Sequence, residues 1–168
     1  MSLTIHITRA NGFDMFIGED KTLIYPIYDE EVTSVLFARV LALRQEVRDL
    51  GPAASAATQA ELVTLEAYLS SHQLDPTGSD FEWVLRKTNK AGDPALILKT
   101  TGSPGGIDIV GSPPAVEVSL YDIDTALEDG TGIVLAPKTY RYSLKRMDDG
   151  AETIAAEGDF ELSEATAR

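Results

Sequence analysis

The residues of this chain that could support catalysis are few and far apart. The 168-residue sequence has two histidines, His6 and His72, and no cysteine. A Ser-His-Asp triad would need one of these histidines, but no G-x-S-x-G motif accompanies either of them. The lack of cysteine excludes disulfides, thiolate nucleophiles and cysteine-ligated zinc. We therefore interpret both histidines as surface or hydrogen-bonded residues and expect no nucleophilic site.

An acidic segment, YDIDTALEDG, offers a second possible chemistry, which is calcium binding. It places four carboxylates close together, at Asp122, Asp124, Glu128 and Asp129. Calcium takes such oxygen ligands, but the EF-hand spacing is absent, so a solvated acidic turn is favoured and a calcium site is the alternative. The glycine-rich segment TGSPGGID lacks G-K-[ST] and precedes a strand pattern, which indicates a turn rather than a phosphate-binding loop.

Two further functions would need aromatic or paired acidic side chains. Trp83, Tyr140 and Tyr142 could stack on a sugar, but their alternation with other residues favours a place in the core. Nothing in the sequence selects a pair of carboxylates for glycoside hydrolysis. We therefore expect no catalytic residue, no cofactor and no metal, and keep a hydrolase only as a third hypothesis.

The composition is typical of a soluble globular protein with an acidic surface. Hydrophobic residues make up 43% of the chain, and 27 Asp and Glu against 14 Lys and Arg give a net charge of -13. This charge argues against nucleic-acid binding, because duplex phosphates must be met by clustered Lys and Arg. The N-terminal MSLTIHITRANG lacks the regions of a signal peptide, and no segment is apolar over a membrane-spanning length. We expect a protein that is made in the cytoplasm and binds neither nucleic acid nor membrane.

The last of the predicted elements that could position a site is a β-hairpin at the C-terminal end of the sequence. Tyr140, Tyr142 and Leu144 are spaced by two, and the DDG at 148–150 predicts a tight turn to a second strand. The residues predicted to share the inner face of that second strand are Ile154, Ala156, Gly158, Phe160 and Leu162. Because the outer face of the first strand is basic and that of the second is acidic, we expect cross-strand ion pairs that help to set the register.

Several other short segments have the composition of strands. They read LTIHI, KTLIYPIYD, DFEWVLRK, PALILKT, GIDIV and AVEVSLYD, and Gly- and Pro-rich turns separate most of them. Pro26 cannot donate to a β-ladder, so its strand is expected at a sheet edge or a bulge. This pattern predicts a mainly β fold, either a sandwich or a barrel.

The middle of the chain changes to a helical period. A stripe of apolar residues runs from 30 to 50, with Asp29, Glu30 and Glu31 at its start and Gly51-Pro52 at its end. Gly51 suits a C-terminal cap, and Thr58–Glu61 has the spacing of a capping box for a second helix. The sequence therefore predicts a helical hairpin at 30–71, inserted between N-terminal strands at 1–29 and the remaining strands at 72–168.

The first helix is apolar on more than one side, since Val35, Phe37 and Leu41 lie outside its main stripe. One interpretation is that all of these residues pack inside the chain. The other is that the hairpin contacts identical copies. The residues predicted to form such an assembly interface are Val32, Leu36, Phe37, Val40, Leu41, Leu43, Val47, Leu62, Leu65 and Leu69.

The strand pattern resembles a known family. In order and spacing, DFEWVLRK, ALILKTTGSPGGIDIV, AVEVSLYD and LAPKTYRYSLKRMDDGAETIAAEGDFEL are similar to the immunoglobulin-like domain of tailed-phage tail and baseplate proteins, such as the N-terminal domain of baseplate upper proteins. The matching residues are Leu135, Pro137, Tyr140, Tyr142 and Leu144 of one strand, and Gly158, Phe160 and Leu162 of the next. The resemblance covers 18–29 and about 74–162; the helical hairpin and residues 1–17 have no counterpart in the family.

The resemblance implies a fold and a function but no active-site residues. We expect an immunoglobulin-like antiparallel β-sandwich with an inserted helical hairpin, acting as a non-enzymatic structural protein of a tailed-phage or phage-derived particle. Its expected place is the virion, in the tail, baseplate or neck, and its expected partners are other virion proteins and identical copies in a trimer or hexamer. An exposed strand edge could also accept a strand from a partner. The alternative is a carbohydrate-binding or adhesin module on the host surface.

Overall fold

A computed structural model describes residues 13–16, 20–29, 31–88, 90, 92–102, 105–121, 124, 135–148 and 151–164. In this part the chain is mainly β, with a mixed sheet and two α-helices. The strands are β1 Phe13–Phe16, β2 Lys21–Tyr25, β3 Phe81–Arg86, β4 Ile97–Thr101, β5 Gly106–Val110, β6 Ala115–Leu120, β7 Lys138–Asp148 and β8 Ala151–Ser163. The helices are α1 Ser34–Leu50 and α2 Ala56–Ser71, joined through a 3-10 turn at Gly51–Ala53. Neither described helix is long and apolar enough to cross a membrane.

The strands form one sheet in the order β1-β8-β7-β3-β4-β5-β6-β2. The β1–β8 and β4–β5 pairs are parallel and the others are antiparallel, so the sheet is mixed and the prediction of a purely antiparallel arrangement is wrong. The β2 end of the sheet lies over the middle of the same sheet. The evidence is a hydrogen bond of 2.9 Å that the Trp83 indole Nε1 on β3 donates to the Tyr25 hydroxyl on β2. Tyr25 also lies 6.1 Å, centroid to centroid, from the Tyr142 ring on β7. The sheet therefore encloses a core between its β2 end and its β3–β7 centre.

The residues predicted to alternate inward fill this core. Trp83 and Leu144 are fully buried, and Tyr140 and Tyr142 are 2% exposed. The Trp83 ring stacks on Tyr142 and meets the edge of Phe160, each at 6.0 Å between ring centroids. The prediction that these aromatics belong to the core is confirmed. Pro26 directly follows β2, the last strand of the sheet, as its lack of an N–H donor led us to expect.

The closing hairpin has the predicted pairing but contains a bulge that the sequence did not reveal. Tyr140 pairs with Phe160, and the register shifts after Leu144, which pairs with Ala156 while Lys145 pairs with Ile154. The extra residue, Ala155, is buried beside Ala156. A bulge of this kind reverses the alternation beyond it. The predicted inner-face position of Ile154 is therefore wrong, since Ile154 lies opposite Lys145 on the outer face.

Gly158 lies directly opposite Tyr142 and leaves room for its ring. A Cβ at residue 158 would lie 3.0 Å from the Tyr142 Cε1 and Oη atoms, which is too close for an unstrained contact. We expect Gly158→Ala to lower the free energy of unfolding by about 1–3 kcal/mol, because overpacking displaces a buried ring. Urea denaturation would measure this loss. Gly92→Ala is the matched control, since a Cβ there meets nothing within 4 Å, and equal stability of the two variants would contradict the prediction.

The helical hairpin forms as predicted, but both of its helices begin at residues other than those expected. Thr33 caps α1 by accepting the Leu36 N–H, so the acidic residues before it precede the helix; Glu30 lies outside the described residues. Ser55 caps α2 by accepting the Thr58 N–H, so the helix begins before the predicted capping box. Gly51 ends α1 at φ 54°, and its N–H donates to the Val47 carbonyl, which confirms the C-cap.

Several predictions concern residues outside the described ranges. They include the strand at Leu3–Ile7 with His6, the DG pair at 149–150, and Asp122, Glu128 and Asp129. Within the described residues, the first strand is Phe13–Phe16, which the sequence did not predict.

Candidate assembly surface

The ten residues predicted as an assembly interface do not all lie on the surface. Val32, Phe37, Val40, Leu43 and Leu69 are buried within the chain itself. Leu36, Leu41, Val47, Leu62 and Leu65 are partly exposed. Most of these residues join Tyr28 and Tyr68 in a second apolar cluster that is separate from the core of the sheet. The hairpin therefore has a core of its own, and of these ten residues only the five partly exposed ones are available to a partner.

The most exposed aliphatic side chains of the hairpin lie outside that set of ten. Val35 on α1 is 77% exposed, Val63 on α2 is 67% exposed and Leu50 at the end of α1 is 49% exposed. Val35 lies outside the predicted apolar stripe, whereas the sequence pattern did not single out Val63. A valine that breaks a run of polar or small residues on the outer side of a helix is the signal that could have found it.

Two ion pairs link the helices of the hairpin at its surface. The Arg39 guanidinium donates to both Glu61 carboxylate oxygens, each at 2.8 Å, and Arg44 Nε donates to Glu66 at 2.8 Å. The hydrogen bond from Arg39 holds the pKa of Glu61 below its ordinary value. These pairs are solvent-exposed, so each contributes little to stability. They link α1 to α2 at the surface of a hairpin that its buried apolar cluster holds together.

The base of the hairpin is joined to the sheet by backbone hydrogen bonds. The Asp29 N–H donates to the His72 carbonyl at 3.0 Å, and the Leu74 N–H donates to the Ile27 carbonyl at 2.8 Å. The Gln73 amide adds a side-chain bond to the Pro114 carbonyl at 3.0 Å. The hairpin therefore leaves and re-enters the β body at one paired junction.

His72 lies at this junction and contacts both chain segments. Its ring stacks on Tyr68 at 4.1 Å, its Nδ1 lies 2.9 Å from the Tyr68 carbonyl and its Nε2 lies 3.2 Å from the Glu31 carboxylate. The hydrogen bond to Tyr68 raises the pKa of His72 above its ordinary 6.5, and the carboxylates of Asp29 and Glu31 add to this, while burial opposes it. Only the imidazolium can donate from both nitrogens at once. His72 is thus a hydrogen-bonded structural histidine.

We expect His72 to make stability depend on pH. Because its pKa is raised in the folded state, its stabilisation is complete below pH 6.5 and is lost as the pH rises through the folded pKa. The stability difference between wild type and His72→Gln should therefore shrink from pH 6 towards pH 8, as measured by thermal unfolding. His6 is present in both proteins and cancels. A difference that stays constant over this range would contradict the role of the charged form.

A narrow groove runs between α1 and the sheet. It has a volume of about 120 Å³, and its lining includes Pro26, Phe37, Leu41, Arg44 and Ala155. Ile24 at its edge is 49% exposed. The groove is largely apolar. Of the large aliphatic side chains that are exposed in the described ranges, Val35, Leu50 and Val63 lie on the hairpin.

The residues considered for calcium or sugar binding make contacts within the protein, wherever the structure describes them. Asp124 of the acidic segment pairs with Lys99 at 2.6 Å and accepts the Tyr121 N–H at 2.7 Å. The described residues contain no group of three or more His, Asp or Glu side chains placed to hold a metal. Trp83, Tyr140 and Tyr142 are buried, so they offer no surface to a sugar.

The resolved carboxyl pKa shifts also have structural causes. The pKa values of Glu61, Asp75 and Glu152 are all lowered, mainly by hydrogen bonds from Arg39, Thr77 and Lys145 respectively. A general acid in glycoside hydrolysis needs a raised carboxyl pKa instead. None of these three carboxyls therefore has the property that a general acid requires.

Comparison with known proteins brings no assignment. No family model matches this chain, and no curated protein matches it in sequence. A function can therefore be proposed only from the sequence and the geometry of the described residues.

Proposed function

We propose that this protein is a non-enzymatic structural component of a tailed-phage or phage-derived particle, in its tail, baseplate or neck. In this proposal an immunoglobulin-like β-sandwich is the rigid body, and the helical hairpin and strand edges contact identical copies and other virion proteins. The observation that carries the proposal is the division of the chain into a β body and a hairpin with its own core and exposed aliphatic residues.

The immunoglobulin-like part of the proposal is supported by where the resembling residues lie. Leu135, Tyr140 and Leu144 are buried in the core of the sheet, as are Phe160 and Leu162 of the closing strand. The β2 end of the sheet faces β3 and β7 through the bond from Trp83 to Tyr25. A sheet with one end lying over its centre and aromatic rings packed between them is compatible with a two-layered sandwich.

The assembly part of the proposal is supported by exposed apolar surface on a rigid element. Scattered single aliphatic residues are normal on a soluble protein. Here Val35, Leu50 and Val63 lie on one hairpin, whose helices share a buried apolar cluster and are linked by ion pairs. A preorganised apolar element loses little conformational entropy when it binds, which favours its use as a contact.

The strand edges are the second candidate contact. In the described part of the chain, β2 pairs with β6 from Lys21 to Tyr25 and is the last strand in the order of the sheet. A strand at the end of a sheet is where a neighbouring protein can add a strand of its own.

The mass of the purified protein in solution tests the proposal. We expect light scattering to give a closed oligomer, a trimer or hexamer, well above the 18.1 kDa of one chain. A protein that remains at 18.1 kDa over the accessible concentration range would contradict self-assembly through the hairpin.

A further inference from the structure

The narrow groove between α1 and the sheet owes part of its space to two small side chains. Ala155 and Ala156 both line it and are 2% and 3% exposed. Ala155 is the extra residue of the β8 bulge, so the bulge places two alanines in succession on this side of the strand. Protein interiors are close-packed, and larger side chains at these positions would fill the space. The β8 bulge therefore contributes to the groove.

Aromatic rings form much of the remaining lining. Tyr25, Tyr28, Phe37 and Tyr142 all line the groove, and the Tyr28 and Phe37 rings are tilted by 53° with their centroids 6.0 Å apart. Aromatic rings pack well against a further ring, either offset or edge to face. A dry protein cavity of about 150 Å³ can hold one benzene molecule. The volume of about 120 Å³ in this groove therefore suits a single six-membered ring.

The charge of the lining favours a neutral occupant. Arg44 is the only charged residue in the described lining, and its Nε donates to Glu66 on α2 at 2.8 Å. The carboxylate of Glu66 thus compensates the guanidinium. An ion that entered the groove would lose its hydration without gaining an unpaired opposite charge, whereas a neutral molecule avoids that cost.

Tyr28 adds a hydrogen-bonding group to this apolar lining. The residue is 7% exposed, and its hydroxyl makes no hydrogen bond to any residue that the structure describes. Burial raises the pKa of Tyr28, which the Arg44 guanidinium opposes, so the hydroxyl keeps its proton at neutral pH and can donate it. Most buried hydroxyls have a hydrogen-bond partner. An oxygen atom of a bound molecule would provide one.

We propose that this groove binds a small neutral molecule that has one aromatic ring and one oxygen, and that the Tyr28 hydroxyl donates to this oxygen. Phenols and aryl alcohols have this chemistry. The ring packs against Phe37 and Leu41 of α1 on one side and against Pro26 and Ala155 of the β body on the other. The bound molecule therefore holds the helical hairpin against the sheet.

This inference does not rest on the proposed function, because it concerns an internal groove and not a contact between copies. The two can also fail separately. The mass of the protein tests self-assembly, whereas titration of the full chain with a small molecule tests the groove.

The experiment uses phenol as the probe and an NMR chemical-shift titration of the full chain as the measurement. We expect saturable binding that shifts the methyl resonances of Leu41 and Ala155. Tyr28→Phe should bind phenol about three- to tenfold more weakly, which is the effect of one hydrogen bond. This variant should fold, because it keeps the ring and removes a hydroxyl that bonds to no described residue. Tyr121→Phe is the matched control, since Tyr121 is 50% exposed and lies outside the described lining.

A second pair of variants tests the location by blocking the groove. Leu41 is partly exposed and lines the groove from α1, so we expect Leu41→Trp to occupy the space and to weaken phenol binding at least about tenfold. Leu50→Trp makes the same change at the exposed end of the same helix, outside the described lining. We expect it to bind phenol within about twofold of wild type.

Four results would overturn the inference. The first is the absence of saturable phenol binding to wild type, and the second is equal affinity of wild type and Tyr28→Phe for phenol. The third is an equal loss in Leu41→Trp and Leu50→Trp. The fourth is tighter binding of benzoate than of phenol, which would indicate an anion site at Arg44 in place of a site for a neutral ring.

Discussion

The Val35→Glu, Val63→Glu double variant is expected to be a folded monomer where the wild-type protein forms a closed oligomer. Both valines are largely exposed, at 77% and 67%, so their replacement leaves the core of the hairpin intact. Burying two carboxylates in an apolar contact costs far more than losing two methyl-bearing side chains. Light scattering would follow the mass, which should fall to the 18.1 kDa of one chain.

The variant should not lose stability as a monomer. Glu is a better helix former than Val, and residue 35 lies in the first turn of α1, which contains no acidic residue. A carboxylate near a helix N-terminus is stabilising by about 0.3–1 kcal/mol. Loss of the oligomer without loss of helical circular dichroism would therefore place the contact on these two faces.

The control keeps the same positions apolar. Val35→Ile with Val63→Ile should retain the oligomer, because it preserves both the apolar surface and the β-branched shape. If the glutamate variant keeps the wild-type mass, assembly does not use these faces of the hairpin. Leu43→Glu would be a poor test, because Leu43 is 1% exposed and its replacement would bury a charge inside the protein.

Much of the β body could be predicted because burial of one sheet face gives a period of two. Tyr140, Tyr142 and Leu144 stood at alternate positions between polar residues, and all three are buried. The bulge at Ala155 could not be predicted, because Ala155 and Ala156 are alike in size and polarity and leave no periodic signal. That single inserted residue moves Ile154 to the outer face.

The surfaces were harder to predict than the core. An apolar stripe shows that a helix face is covered, but it does not identify what covers it. In this chain α2 and the segment with Tyr28 and Val32 cover much of the predicted interface. The pairing of two arginines on the outer face of the sheet was missed for a related reason. Arg86 and Arg141 are distant in the sequence, and only the pairing of β3 with β7 places them side by side.

The second large effect is expected at Trp83. It is fully buried, stacks on Tyr142 and packs against Phe160. Trp83→Ala should lower the free energy of unfolding by about 3–5 kcal/mol, since the cavity would lie at the centre of a rigid aromatic cluster. Because small domains are stable by only about 5–15 kcal/mol, this variant should unfold at much lower urea concentration or fail to fold. Val63→Ala is the control, and its exposed side chain should change stability by less than about 0.5 kcal/mol.

The hydrogen bond from Trp83 to Tyr25 allows the closure of the sheet to be tested apart from the packing. Trp83→Phe and Tyr25→Phe each remove one partner of the bond between β3 and β2. If the β2 end lies over the centre of the sheet, the two changes should not be additive, and their coupling energy should be about 0.5–1.5 kcal/mol. Both variants keep aromatic rings in the cluster, so they should fold even where Trp83→Ala does not. If urea denaturation shows that the stability losses of the two variants are strictly additive, β2 does not close the core through this bond. The proposed two-layered arrangement would then lack its main contact.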